Sequence, residues 1–281
     1  MRIGRINYLR ILYFYRGKTI CMSPNISKPA KGLLIPVVIF IIWFTGSALN
    51  LWNSYIIPSP IKTAAAAEQL ITKGILFKHV LISLYRVFAG FSLAFLIAFP
   101  LGIILGMNKK LLPFFEPSLE FIRHIPPLAV IPMLILWFGI GETSKLIIIV
   151  LASFFPIFLN TLNGVIHCDN KLLEVGRSFG FGAREQFTRI ILPATLPHIL
   201  MGMRIGLGYS WRSLVGAELI AAAAGIGYMI LDAERLSRPD IIIVGVLTIG
   251  VLGSVIDYLF FKAANYLTPW KDDEITQNGW G

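Results

Sequence analysis

The stretch from Val80 to Met107 reads VLISLYRVFAGFSLAFLIAFPLGIILGM and contains a single charged residue, Arg86. An α-helix needs about 20 mostly apolar residues to cross about 30 Å of bilayer hydrocarbon, and this stretch is longer than that. It lacks the alternation of polar and apolar residues that is typical of a strand in a membrane barrel. It therefore predicts a transmembrane α-helix.

The composition of the whole chain agrees with this prediction. Of the 281 residues, 56% are hydrophobic and 14% are charged, and the mean hydropathy is +0.74. Soluble domains contain about 25% charged residues, so the composition excludes a cytosolic enzyme, and its apolar content excludes a disordered chain. With only Cys21 and Cys168, the chain has neither a disulfide framework nor a four-cysteine zinc site.

Six apolar stretches are candidates for transmembrane helices. They run from about Leu33 to Leu49, Val80 to Met107, Leu128 to Ile140, Leu146 to Ile166, His198 to Ala224 and Ile241 to Phe261. The third is short unless it begins near Ile125, and the fifth is the least apolar because it contains three charged residues. These stretches predict an all-α integral membrane protein with six transmembrane helices.

The distribution of Lys and Arg predicts the orientation of these helices. With the N-terminus inside, 16 of the 25 basic residues lie in cytoplasmic segments and six in outside segments, and the remaining three lie within spans. Basic residues concentrate on the cytoplasmic side of membrane proteins, so we expect both termini to be cytoplasmic. The net charge of +10 follows from this bias and does not indicate a nucleic-acid partner.

The chain divides into three regions. Residues 1–32 form a basic cytoplasmic arm, residues 33–266 the transmembrane domain and residues 267–281 a cytoplasmic tail. The arm fits an amphipathic segment on the membrane surface, and it fits a signal peptide poorly because Arg10 and Arg16 interrupt its apolar stretch. An alternative is a start site placed too early, since Met22 opens an ordinary short cytoplasmic N-terminus.

The sequence contains no pattern of catalytic or metal-binding residues. The histidines His79, His124, His167 and His198 are scattered, and His167 with the adjacent cysteine is too isolated for a zinc site. No Gly-rich phosphate-binding loop ending in Lys-Ser or Lys-Thr occurs. We therefore predict no catalytic residue, cofactor or metal site, and we place any ATP hydrolysis on another chain.

Two charged residues lie deep in the fifth predicted span. Arg212 and Glu218 would each cost about 2.5–3.5 kcal/mol near the centre of a lipid-facing helix, so we expect them to face protein, water or each other. Both are candidates for lining a translocation pathway. Six residues place them about 120° apart on a helix, so each should find its partner on another span or on a second subunit. Asp257 in the sixth span should pair with a neighbouring helix.

Small residues recur four apart in two of the spans. Gly102 and Gly106 lie in the second span, and Gly202 and Gly206 lie in the fifth. Small residues at this spacing allow helices to approach closely in lipid. We therefore expect both helices to pack tightly along these faces.

The segment between the fourth and fifth spans differs from a passive loop. From Leu173 to Pro193 it reads LEVGRSFGFGAREQFTRIILP, which combines charges with large apolar residues where a passive loop would be short and polar. We predict two short helices, the first beginning at Glu174, with a break at Gly180 and Gly182 and a stop at Pro193. The three phenylalanines, Phe179, Phe181 and Phe187, suit docking into a hydrophobic cleft of a partner.

This segment resembles the cytoplasmic motif found in membrane subunits of binding-protein-dependent ABC importers. That motif is Glu-Ala-Ala, three residues, Gly, nine residues, Ile, one residue and Leu-Pro. Here Glu174 and Gly180 are in register, and Ile190 and Leu192-Pro193 follow at the same spacing, whereas Val175-Gly176 replaces the two alanines. The resemblance implies a loop that couples the permease to a separate ATPase, formed by Glu174, Gly180, Phe181, Gly182, Ile190, Leu192 and Pro193.

Other stretches are similar to permeases of the taurine, aliphatic sulfonate and nitrate group. They include residues 117–129, 136–140, 217–221, 225–228 and 267–270. The resemblance implies a homodimer in the bacterial cytoplasmic membrane that pairs with ATP-binding subunits and receives substrate from an extracytoplasmic binding protein. It implies taurine, another sulfonate or nitrate as substrate, although related importers carry vitamin precursors.

Two functions from other classes remain as alternatives. A secondary transporter or channel would use Arg212, Glu218 and Asp257 as ion sites, but the two halves of the chain show no evident repeat. A membrane enzyme is disfavoured because the chain lacks clustered His or Asp residues.

Overall fold

The computed structural model describes residues 27–108 and 110–270, and within them all regular elements are helical. The N-terminal arm up to residue 26, with Met22, and the tail from residue 271 lie outside the described residues. The described residues up to Leu51 form one unit, whose helix is α1 (Ser27–Ala48), and the described residues from Trp52 onward form a second. The helices of the second unit are α2 (Pro60–Thr72), α3 (Ile75–Met107), α4 (Leu112–Arg123), α5 (Ile131–Phe138), α6 (Glu142–Ile166), α7 (Asn170–Ser178), α8 (Ala183–Gln186), α9 (Leu192–Ala221), α10 (Ile226–Arg235) and α11 (Pro239–Leu267).

Four helical stretches among the described residues are long and apolar enough to cross a membrane. They are α3, α6, the continuous stretch Ala183–Ala221 that contains α8 and α9, and α11. A fifth candidate is bent by 80° and joins α4 to the stretch Pro127–Phe138, which includes α5. The apolar part of α1, Leu34–Ala48, is shorter than a span, so the count of six spans remains a prediction.

The bend between α4 and α5 follows from prolines at 126 and 127. A residue before proline is driven out of the α region, and proline removes a backbone donor. Pro126 is accordingly extended, and a short 3₁₀ segment, Pro127–Val130, leads into α5. The third predicted span, Leu128 to Ile140, was therefore too short, because the bent pair begins at Leu112.

Contacts at three glycines show the direction of α3 relative to α6. A Cβ added at Gly90, Gly102 or Gly106 of α3 would lie within 3 Å of the Cβ atoms of Ile149, Thr161 and Val165, respectively. Because the residue numbers rise together along both helices, α3 and α6 are parallel. Two parallel helices can both cross a bilayer only if the chain returns between them. The bent pair of α4 and α5 lies between them in the chain and is the candidate for that return crossing.

The α6–α9 contact is antiparallel and equally close. Gly202 lies against Pro156, where an added Cβ would be 2.7 Å from the carbonyl oxygen, and Gly206 lies against Ile157 and the carbonyl oxygen of Ser153. The hydroxyl groups of Ser153 and Ser210 hydrogen-bond across the same interface. The prediction of tight packing at the paired glycines is confirmed for both helices.

Candidate coupling loop and translocation pathway

The segment between α6 and α9 contains the break that the sequence predicted. Gly180 has φ +77°, which glycine adopts without a steric penalty. The N–H of Gly180 donates to the carbonyl of Arg177 (2.9 Å), and the N–H of Phe181 donates to that of Gly176 (3.0 Å). This pair of hydrogen bonds is the Schellman arrangement, which ends a helix and satisfies its last carbonyls. Gly180 therefore terminates α7.

The beginning of α7 differs from the prediction. The helix starts at Asn170 after the N-cap residue Asp169, whose carboxylate accepts from the N–H of Lys171 at 2.8 Å. Glu174 consequently lies in the middle of α7, and the expectation that it begins the helix was wrong. Aspartate is a stronger N-cap than glutamate, because its short side chain reaches the free N–H groups of the first turn.

The predicted stop at Pro193 was also wrong. The chain continues as one helix from Ala183 to Ala221, through a π-helical turn at Phe187–Ile191 in which the N–H of Leu192 donates to the carbonyl of Phe187. A π turn shifts the hydrogen bonds by one residue and widens the helix. Pro193 then lies in the first turn after this widening, where the lack of its N–H is tolerated.

Gly176 brings the two halves of the loop together. A Cβ at this position would overlap the δ-methyl of Ile190 and lie 3.4 Å from the ring of Phe181. The departure from alanine at this motif position therefore makes room for Ile190. Phe181 is half-buried in this contact, and the guanidinium of Arg189 lies 5.3 Å from its ring centroid.

The exposed apolar face of the loop lies on α7. Leu172, Val175 and Phe179 are spaced three and four residues apart, which places them on one helix face, and they are 48%, 52% and 76% exposed. Phe179 was predicted to suit docking, whereas Leu172 and Val175 were not predicted to be part of the docking face. Their helical spacing was the signal that could have identified them.

A buried polar cluster lies at the opposite end of α9. Glu218 is completely buried. Its carboxylate accepts hydrogen bonds from Ser83 Oγ (2.9 Å), Arg86 Nη1 (2.7 Å) and the N–H of Gly227 (2.9 Å). Glu218 thus pairs with another span, as predicted, and not with Arg212. Its side chain does not reach solvent in this conformation, and a role in lining the pathway stays a prediction.

Arg86 extends the cluster to α6. Its guanidinium donates to both carboxylate oxygens of Glu142 at 2.6 and 2.7 Å, and Lys145 Nζ donates to Glu142 at 3.0 Å. Arg86 Nη1 also donates to the carbonyl of Ala224. The two basic groups, Arg86 and Lys145, balance the two carboxylates, Glu142 and Glu218, so the cluster has no net charge. Its hydrogen bonds connect α3 to α6, to α9 and to the start of α10. The side chain of Lys145 is buried.

Arg212 lies apart from this cluster. It is exposed on α9, and its guanidinium lies 5.9 Å from the ring centroid of Tyr209. Within the described part of the chain it forms no ion pair. Arg204, two turns earlier, binds Asp257 of α11 through two hydrogen bonds of 2.7 and 2.6 Å. Asp257 therefore pairs with a neighbouring helix, as expected.

A large cleft of about 930 Å³ opens beside the exposed face of α9. Its walls come from α4, α5, α6 and α9, and most are apolar. Polar side chains at its surface include Arg123, Asn160, Tyr209 and Ser213. The cleft is large enough for a small solute.

Comparison with known proteins places the chain in one family. Residues 98–272 match the family described as "Binding-protein-dependent transport system inner membrane component". An aliphatic sulfonates transport permease protein of Bacillus subtilis is 39% identical over 86% of this chain and 88% of its own length. The taurine transport system permease protein of Escherichia coli is 34% identical over 83% and 86%, and the nitrate import permease protein of Synechocystis is 31% identical over 88% and 91%.

A solved structure is similar in fold. A chain of the MetNI methionine ABC transporter, in an inward facing conformation, superposes with a TM-score of 0.62 at 18% identity, over 70% of this chain and 98% of that chain. This likeness in fold agrees with the family match. The chain belongs to the inner membrane components of binding-protein-dependent transport systems, and it is the permease subunit of an ABC importer.

Proposed function

We propose that two copies of this chain form the pathway by which a small sulfonate enters a bacterial cell. Both termini lie in the cytoplasm, an extracytoplasmic binding protein delivers the substrate, and a separate ATP-binding subunit drives transport. The observation that carries this proposal is the exposed row Leu172, Val175 and Phe179 on α7. It lies on the side with the excess of Lys and Arg, and it presents apolar area where such a subunit would dock.

Coupling in this proposal runs through the loop. Gly180 sets the angle between α7 and α8, Gly182 caps α8, and Phe181 and Ile190 hold α7 against the following helix. The exposed row on α7 then contacts the ATP-binding subunit, and Leu192 and Pro193 carry the movement into α9. ATP binding alternates the pathway between outward and inward openings.

The substrate proposal rests on the relatives and on the cleft. The names of the relatives above refer to aliphatic sulfonates, taurine and nitrate. The mostly apolar cleft suits an anion that carries a short hydrocarbon chain better than it suits nitrate, which has none. We therefore place sulfonates first and nitrate second.

The docking part of the proposal is tested by recovery of the ATP-binding subunit with variants of α7. Phe179→Glu adds a charge to the apolar row and should abolish co-purification while the permease stays in the membrane. Ser178→Glu adds the same charge at the next residue, off the row, and serves as the matched control. Equal recovery with both variants would contradict docking through this face.

The substrate part is tested by uptake. Cells that express the complete system should accumulate labelled ethanesulfonate or taurine. Accumulation of nitrate alone would favour the second candidate, and failure with all three would refute the substrate class.

A further inference from the structure

A second, smaller cavity of about 180 Å³ lies between α9 and α11. Its walls include Arg204, Gly208 and Arg212 of α9, and Gly253 and Asp257 of α11. Residues 204, 208 and 212 follow each other at intervals of four, which places them on one side of the helix. The cavity therefore has two guanidinium groups separated by a glycine.

The charge of this cavity is not balanced. Arg204 is neutralised by Asp257 through its bidentate ion pair. Arg212 has no carboxylate partner among residues 27–108 and 110–270. The cavity thus carries one net positive charge, at Arg212, which lies about two thirds of the way along α9 in a stretch that is long and apolar enough to cross a membrane. An uncompensated guanidinium at this depth requires water or an anion.

The shape of the cavity leaves space for that anion. A Cβ added at Gly208 would meet no heavy atom within 4 Å, in contrast to Gly202 and Gly206 on the packed side of the same helix. Tyr209, whose ring lies beside Arg212, lines the large cleft. Arg212 therefore stands at the border between the small cavity and the large cleft, on the exposed face of α9.

We propose that Arg212 and Gly208 form an anion-binding site on the pathway, which takes the sulfonate group of the passing substrate. This inference rests on the proposed function. The guanidinium of Arg212 donates hydrogen bonds to the sulfonate oxygens, and Gly208 leaves the space that those oxygens occupy. Asp257 prevents Arg204 from adding a second charge, so that a monoanion is bound weakly enough to be released.

The experiment uses the full chain, reconstituted in liposomes with its ATP-binding subunit and binding protein, and labelled ethanesulfonate as the probe. Arg212→Gln should reduce uptake at least about tenfold, the loss expected for a charge-assisted hydrogen bond. ATP hydrolysis stimulated by the loaded binding protein should persist. Arg212→Lys keeps the charge and should retain more uptake than Arg212→Gln.

A steric variant tests the same site without removing a charge. Gly208→Leu should fill the space and reduce uptake, and a Cβ at this position meets no heavy atom within 4 Å. Gly250→Leu is the matched control, because Gly250 is also a helical glycine with no heavy atom within 4 Å of an added Cβ.

The outcomes separate the two proposals. Absence of uptake of ethanesulfonate, taurine and nitrate by the wild-type complex would overturn the proposed function and this site with it. Wild-type uptake of ethanesulfonate that is unchanged in Arg212→Gln, or equal in Gly208→Leu and Gly250→Leu, would overturn the anion site alone. If Arg212→Gln fails to assemble, the comparison of the two glycine variants decides.

Discussion

Replacement of Glu218 by glutamine tests how much the buried cluster stabilises the helix bundle. The substitution keeps the size of the side chain and removes its charge. Glu218 accepts hydrogen bonds from Ser83, Arg86 and Gly227, and an amide oxygen can accept only part of these. Arg86, Lys145 and Glu142 then carry one net positive charge in a place where Arg86 and Lys145 are buried.

The expected loss in the free energy of unfolding depends on which hydrogen bonds Arg86 keeps after the substitution. Breaking a buried ion pair by removing one partner costs about 3–5 kcal/mol. Arg86 retains its two hydrogen bonds to Glu142, so we expect the lower end, about 3 kcal/mol. Glu142→Gln should cost about 1 kcal/mol, because the Glu142 side chain is 56% exposed and water can replace its contacts.

The assay is thermal unfolding of the purified permease in detergent. At about 2–4 °C per kcal/mol, Glu218→Gln should lower Tm by about 6–12 °C and Glu142→Gln by about 2–4 °C. Glu68→Gln, at an exposed carboxylate on α2, is the control and should leave Tm unchanged. A smaller decrease for Glu218→Gln than for Glu142→Gln would refute the assignment of Glu218 as the centre of the cluster.

Three further predictions follow from the glycines. Gly225→Ala should lower Tm at least as much as Glu218→Gln, because φ is +119° and the added Cβ would overlap the Glu218 carboxylate; an unchanged Tm would contradict this. Gly202→Ala should destabilise the protein by about 1–3 kcal/mol through overpacking, whereas Gly208→Ala in the same helix should not. Equal thermal stability of the two variants would count against the α6–α9 contact. Gly180→Asp should keep the permease in the membrane but lose recovery of the ATP-binding subunit and uptake, with a milder effect for Glu174→Ala; normal recovery and uptake would exclude the loop as the coupling element.

The sequence predicted the fold best where one helix is apolar along its whole length. The spans in α3, α6 and α11 were located because hydropathy depends only on local composition and length. The prediction was least accurate between Leu112 and Phe138, where prolines separate two short helices bent by 80° and α4 is amphipathic. The helices α3 and α6 run in the same direction, so the chain must return between them if both cross the membrane. This relation depends on contacts between the two helices, and the sequence of either helix alone does not predict it.

In the candidate sites, too, the sequence predicted the local features and missed the contacts between distant residues. The break at Gly180 and the motif spacing were readable because they depend on neighbouring residues. Ser83 and Arg86, two of the partners of Glu218, are more than 130 positions away from it in the sequence. No local sequence pattern predicts such a pair. For Pro193 the local rule gave the wrong answer, because it assumes α-helical hydrogen bonds and the preceding turn is π-helical.

The continuity across Pro193 has a mechanical consequence. The helix from Ala183 to Ala221 contains 39 residues and is therefore roughly 58 Å long at 1.5 Å per residue. One end packs against α7 through Ile190, and the other is held by Glu218 to α3. A displacement of α7 by the proposed ATP-binding partner thus enters α9 without passing through a flexible loop, and the buried cluster resists its movement at the far end. The side chain of Arg212 lies between these two ends, so its position relative to the large cleft should change when the helix tilts.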